Sequence, residues 1–246
     1  MLLRRITDHI KAQNWFAVGL DFFIVVAGIL IAFQITNWNE SRTNRAAADR
    51  YIVSLAQDVR ADIDDLEAVR QNKALNAAIM EVSLIAVAAA DPEKLAAGPP
   101  VDRSVFPSAD SPAWSAFAAQ AFHTLTFDPS TQTFDMLVAT GDVALIDNHD
   151  LVQTLMAYRQ AVVVMEDYED NAGALQISMV PIFIAAGVAM GYPIDLEKFR
   201  TRNERNEALT AAFITARNLT LASYRRATQT QALAKETLAA LEVAQQ

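Results

Sequence analysis

From Trp15 to Trp38 the chain reads WFAVGLDFFIVVAGILIAFQITNW, a run apolar on every face of a helix whose one charge is Asp21. Helices buried in soluble domains are rarely apolar all round over such a length. The 24 residues reach about 36 Å at about 1.5 Å each, enough to cross a hydrocarbon core of about 30 Å. The pattern then changes. No proline or glycine occurs from 41 to 90, and Ile52, Leu55, Val59, Ile63, Leu66 and Val69 recur at steps of three and four between charged positions. That spacing predicts an amphipathic helix running on from the apolar one. Between 91 and 113 five prolines (92, 99, 100, 107 and 112) exclude a continuous helix and predict a long surface loop, the expected place for a partner contact.

Shorter helical patterns follow. Trp114, Phe117, Ala118, Ala121, Phe122 and Leu125 form an aromatic stripe at core spacing. Asp128-Pro129 predicts an N-cap and first helical residue, with the helix stopping at Gly141. Asp147 or Asn148 is placed to cap a helix over 149–171. The apolar stretch 177–190 contains Pro181 and is short for a span, so a buried helix or one lying on a bilayer is expected. After the break at Gly191-Tyr192-Pro193, Asp195 is placed to cap a last helix over 196–242, with Leu196, Phe199, Leu209, Phe213, Ala216, Leu219, Leu233, Leu238 and Leu241 as its apolar stripe. The fold expected is all-α: a tail over 1–14, a membrane-crossing helix over 15–38, and an antiparallel, coiled-coil-like bundle over 39–246.

Charge distribution supports the membrane reading. The chain of 246 residues carries a formal charge of −9, yet residues 1–45 hold five basic and three acidic side chains against 15 and 26 in the remainder. An acidic body without basic-aromatic patches is a poor partner for nucleic acid. Trp15 and Trp38 mark the two ends of the apolar run, where indole rings favour the headgroup boundary. The basic start also suits a signal peptide, but Gln34–Glu40 offers no small-x-small cleavage site, so an uncleaved anchor is expected. Arg4, Arg5 and Lys11 before the run nearly balance Arg42, Arg45 and Arg50 after it. The amino-terminal amine tips the orientation toward a cytoplasmic start and a periplasmic body.

Within the run, Asn14, Asp21, Gly28 and Ile35 recur every seven residues, with Val25 and Ala32 between them. Small residues let helix backbones approach and polar side chains seek partners in lipid. Asp21, Val25, Gly28 and Ala32 are therefore candidates for a self-association stripe. The alternative, in which Asp21 reaches the headgroup zone and Gly28 is incidental, stays open at this point. The stretch from Asp21 through Gly28–Ala32 (GILIA) to Gln34–Glu40 (QITNWNE) resembles the amino-terminal signature of a bacterial family of membrane proteins, the domain of unknown function 6090. A weaker similarity covers 134–146. The resemblance implies an inner-membrane anchor followed by a helical body. It implies no activity and no site residues.

The chemistry-bearing residues form no recognisable constellation. Without cysteine there is no thiolate nucleophile, thiolate zinc site or disulfide. The three histidines, His9, His123 and His149, are scattered, and a metal site would require His123 and His149 to converge with Asp147 or Asp150. The acidic cluster over 58–67 lacks a calcium-loop pattern and is expected as a solvated face. No phosphate loop, dinucleotide glycine pattern or nucleophile elbow occurs, so no catalytic, cofactor or metal residue is assigned. Two functions remain: a membrane-tethered interaction, scaffold or sensor module that binds the bilayer, a protein or small ligand, and its own copies; or a membrane-tethered enzyme with a site between bundle helices. Segment 1–14 is too small for an output domain, which weighs against a kinase-linked sensor.

Overall fold

The computed structural model describes residues 15–86, 91, 93, 95–185, 193, 200–201 and 207–245, with the side chains of 15 and 17 excepted. The expected tail over 1–14, residues 186–192, the cap at Asp195 and the start of the last helix at 196 lie outside these. The fold is all-α, with no strand among the described residues. Among the described residues five helices are bounded: α1 Trp15–Ala86, α2 Pro112–Ala119, α3 Gln132–Thr140, α4 His149–Ala185 and α5 Glu207–Ala244. Short 3₁₀ turns at Gln120–Phe122 and Asp142–Leu145 follow α2 and α3.

The chain divides into two compact units, Met1–Arg50 and Tyr51–Gln246. In the first unit the described residues are the opening part of α1. An 18-residue window of this helix is apolar enough to cross a membrane, and none of it is buried. Phe22, Phe23, Ile24, Leu30, Ile31 and Phe33 are all more than half exposed.

The second unit is a helical bundle. Ile52, Leu55, Val59, Leu66 and Val69 of α1 are buried as their spacing predicts, against Leu151, Leu155, Val162 and Met165 of α4 and Ala227, Ala234 and Leu241 of α5. Burying each large aliphatic side chain contributes about 1.5–3 kcal/mol, which is what holds helices this long together. Hydrogen bonds report their directions. Tyr158 meets Asp62 and Lys73 pairs with Glu169, so α4 runs parallel to the body part of α1. Arg60 meets Glu242 and Arg70 meets Tyr224, so α5 runs antiparallel to it. The segment between α1 and α4 makes the return crossing. A second core gathers Ile79, Met80 and Leu84 of α1, Phe183 of α4, and Leu209 and Phe213 of α5. Rings of Phe122, Phe183 and Phe213 meet edge-on there, with centroids 5.5–5.8 Å apart.

Four expectations are corrected. The Pro-rich loop ends at 111, because Pro112 takes a first-turn position of α2 where no N–H is needed. The aromatic stripe leaves the helix early: Trp114 is fully buried, but Leu125 lies beyond the 3₁₀ turn and is half exposed. The helix expected from Asp128 begins at Gln132, because side chains of α1 and α4 hold the preceding backbone extended, as described below. The helix expected to end at 171 continues through Gly173 and Pro181 to Ala185. Burial of Met179 and Phe183 in the second core outweighs the missing N–H of Pro181. Gly141 stops α3 as predicted, at φ 78°, where a side chain would be strained. Asn148 caps α4, its Oδ1 accepting the Leu151 N–H at 3.0 Å.

Candidate functional site

The residues of the predicted stripe lie on the exposed opening part of α1. Asp21, Val25, Gly28 and Ala32 are all exposed on α1. A methyl group added at Gly28 would meet nothing within 4 Å beyond its own helix backbone among the described residues. Trp38 is exposed at the far end of the apolar run. Trp15 opens α1, its side chain being outside the description.

In the second unit the sequence-level reading of 58–67 as a solvated face is overturned at its centre. Asp62 is only 2% exposed. Its Oδ2 accepts the Tyr158 hydroxyl at 2.7 Å and its Oδ1 accepts the Ser130 N–H at 2.7 Å. Asp65 accepts the Asp128 N–H at 3.0 Å, Glu169 accepts the Phe127 N–H at 2.9 Å, and Asn72 accepts the Leu125 N–H at 3.0 Å. Asn72 and Asn76 donate to the His123 carbonyl. Segment 123–130 is thus an extended strap laid across α1 and α4. Its backbone groups are satisfied by helix side chains instead of by helical bonds, which is why no helix starts at Asp128. Sequence reasoning missed this because acidic residues at helical spacing look the same facing water or facing a strap. The available signal was the strap itself, where Asp128-Pro129 interrupts the helical pattern without a glycine.

The electrostatics follow from burial. Burial pushes the Asp62 carboxyl above its ordinary value, and the neighbouring Asp58 adds to the push against the opposing hydrogen bonds from Ser130 and Tyr158. The Tyr158 phenol is raised by burial and by the Asp62 carboxylate it donates to. Burial lowers the Lys73 ammonium, although Glu169 at 3.3 Å favours its charge. Hydrogen bonds from Arg70, Gln231 and Gln71 hold Glu67 down to about 2. Beside Asp62 a small, partly open and mostly apolar cavity of about 20 Å³ has Asp58, Ser130, Tyr158 and Arg159 among its lining residues. It has room for one water molecule and not for a substrate, since ligand sites run to hundreds of cubic ångströms. The hydrogen bonds of these side chains organise the strap's backbone.

A third cluster anchors the Pro-rich loop. Arg217 of α5 is fully buried, donating to Glu81 and, at 2.7 Å, to the Ala96 carbonyl. Arg103 of the loop reaches the same Glu81 at 2.8 Å. Burial works to raise Glu81, and hydrogen bonds from the two arginines outweigh it, leaving the carboxyl below its ordinary value. Phe106 packs on Phe117 and Trp114 with centroids 4.9 and 6.4 Å away. The loop expected to present a partner contact is therefore pinned to the bundle at three points. His123 is exposed, and His149 pairs with Gln153 on its own helix; among the described residues no group of side chains has the makings of a metal site.

Comparison with protein-family models, with curated proteins and with solved structures returns no match for this chain.

Proposed function

We propose that this protein is a single-pass membrane-anchored helical module with an interaction, scaffold or sensor-like role, and that it self-associates through the Asp21, Val25, Gly28 and Ala32 stripe. One observation carries the reading: the apolar opening of α1 is long enough to span a bilayer, and among the described residues none of its most apolar window is buried. Leaving so large an apolar surface in water costs about 25 cal/mol for each Å², so a soluble resting place is strongly disfavoured. The resemblance of Gly28–Ala32 and Gln34–Glu40 to the family named above supports an anchor in the bacterial inner membrane. The acidic body supports a periplasmic side for residues beyond 39. The open face at Gly28 supports the stripe, because small residues there leave room for a second backbone. The second unit would then serve as the module held beside the bilayer, with a partner of protein or small-ligand chemistry.

The anchor is tested by alkaline carbonate extraction of membranes: the chain is expected to stay in the pellet, and release into the supernatant contradicts the reading. The stripe is tested by single cysteines at 21, 25, 28 and 32, in a chain that has none of its own. Disulfide-linked dimers are expected at these positions above those at 23, 27, 30 and 34 on the opposite face of the helix. Equal yields on both faces contradict self-association through the stripe.

A further inference from the structure

We propose that one face of α1 in the first unit is a binding site for an anionic phospholipid, with its phosphate held by Arg42 and Arg45. The inference rests on the membrane-anchor reading above and names a ligand for it. Along this face the chemistry changes in a fixed order. Leu30, Ile31 and Ile35 form an exposed apolar section, each about 60% accessible. Gln34 and Trp38, which line both adjoining grooves of this face, follow with Asn37 as an amide and indole section. Arg42 and Arg45 come next, both exposed.

Helical periodicity puts these sections in register, because positions three, four and seven apart stack on one side. The neighbouring acid Glu40 falls on the opposite side by the same geometry. Asp49, one turn past Arg45, closes the face and confines its basic section to the two arginines. Neither arginine has an ion-pair partner among the described residues. An acyl chain, a glycerol-ester boundary and a phosphate occur in this same order, over the same few helical turns, in one phospholipid lying against the helix. Guanidinium groups suit the last of these, since their planar donors match phosphate oxygens. The indole of Trp38 suits the boundary.

The test uses full-length protein reconstituted in vesicles of phosphatidylcholine mixed with phosphatidylglycerol, solubilised gently and weighed by native mass spectrometry with its retained lipids. The wild type is expected to keep phosphatidylglycerol in preference, on the order of fivefold for each arginine. The double variant Arg42→Gln, Arg45→Gln is expected to keep both lipids alike. Equal retention by the wild type overturns the inference, and so does a preference that survives in the double variant. Carbonate extraction of the same vesicles separates the two readings. A chain that stays in the bilayer without discriminating lipids loses only the lipid site, whereas a chain that is released loses anchor and site together. Efficient disulfide dimers of Ser41→Cys in the vesicles would assign this face to a second copy and overturn the lipid assignment.

Discussion

Asp62 sits in the bundle because its two oxygens terminate two donors that would otherwise be buried unpaired, the Tyr158 hydroxyl and the Ser130 N–H. Its carboxyl is nonetheless raised, so burial costs the charged form more than those bonds return. The linkage sign follows. A raised carboxyl favours the folded state most when protonated, so its contribution is complete below the ordinary value of 3.8 and is lost as pH rises through the raised value. Asp62→Asn keeps an acceptor and removes the charge. Its melting temperature relative to wild type is expected to be more favourable at neutral pH than near pH 3.8; the reverse ordering, read by thermal unfolding in the two buffers, contradicts the assignment. Glu67 behaves oppositely. Held down to about 2, it stabilises fully above its ordinary 4.5 and loses that contribution as pH falls toward 2. Glu67→Gln is therefore expected to destabilise at neutral pH and to match wild type at the acid end, and a deficit that persists there contradicts it. Neither residue was legible in the sequence. Asp58, Asp62 and Asp65 share one spacing on one helix, and only the path of the 123–130 strap decides which of them meets water, while Glu67 on the other side depends on where Gln231 of α5 falls.

At the scale of elements, the apolar spacing did its work where cores are built from one helix face. Ile52, Leu55, Val59, Leu66 and Val69 on α1 and Leu209, Phe213, Ala216 and Leu241 on α5 are buried as their period predicts, while Ile63, Leu219, Leu233 and Leu238 are partly buried against the cores. Leu66 is fully buried at the meeting of α1 with its neighbours, and Leu66→Ala is expected to cost about 2–5 kcal/mol in denaturant unfolding. A loss below about 1 kcal/mol would mean that this packing is not formed. Gly141 ends α3 in the left-handed region, and Gly141→Ala is expected to cost on the order of 1 kcal/mol from strain alone, with no atom of the chain standing in the way of the methyl group. The boundaries that the sequence misplaced share a cause. Local signals such as Asp128-Pro129, Gly173 and Pro181 are each worth a few kcal/mol at most, and here hydrogen bonds to the strap or burial of Met179 and Phe183 override them. Arg217 was invisible for a related reason. A cation in an apolar period reads as surface, and only Glu81 and the Ala96 carbonyl make its burial tolerable.

The molecule as a whole is two units of unlike physics on one chain. The described residues of the second unit gather two buried apolar cores among themselves. The opening part of α1 buries almost nothing, and its apolar surface calls for lipid or another chain. The long apolar run and the all-α body were readable directly, because a helix long and apolar enough to cross a bilayer announces itself by length and by apolarity on every face. The strap and the pinned loop were not, since both depend on which helix lies beside them. The bilayer is the central claim, and the absence of cysteine in the chain makes it open to direct measurement. Single cysteines placed from 18 to 50 in intact membranes, labelled with a membrane-impermeant thiol reagent before and after detergent solubilisation, should be protected over 18–36 until detergent is added and should react beyond 42 once that side is made accessible. Uniform labelling across 18–50 in membranes, with no gain on solubilisation, would contradict the account.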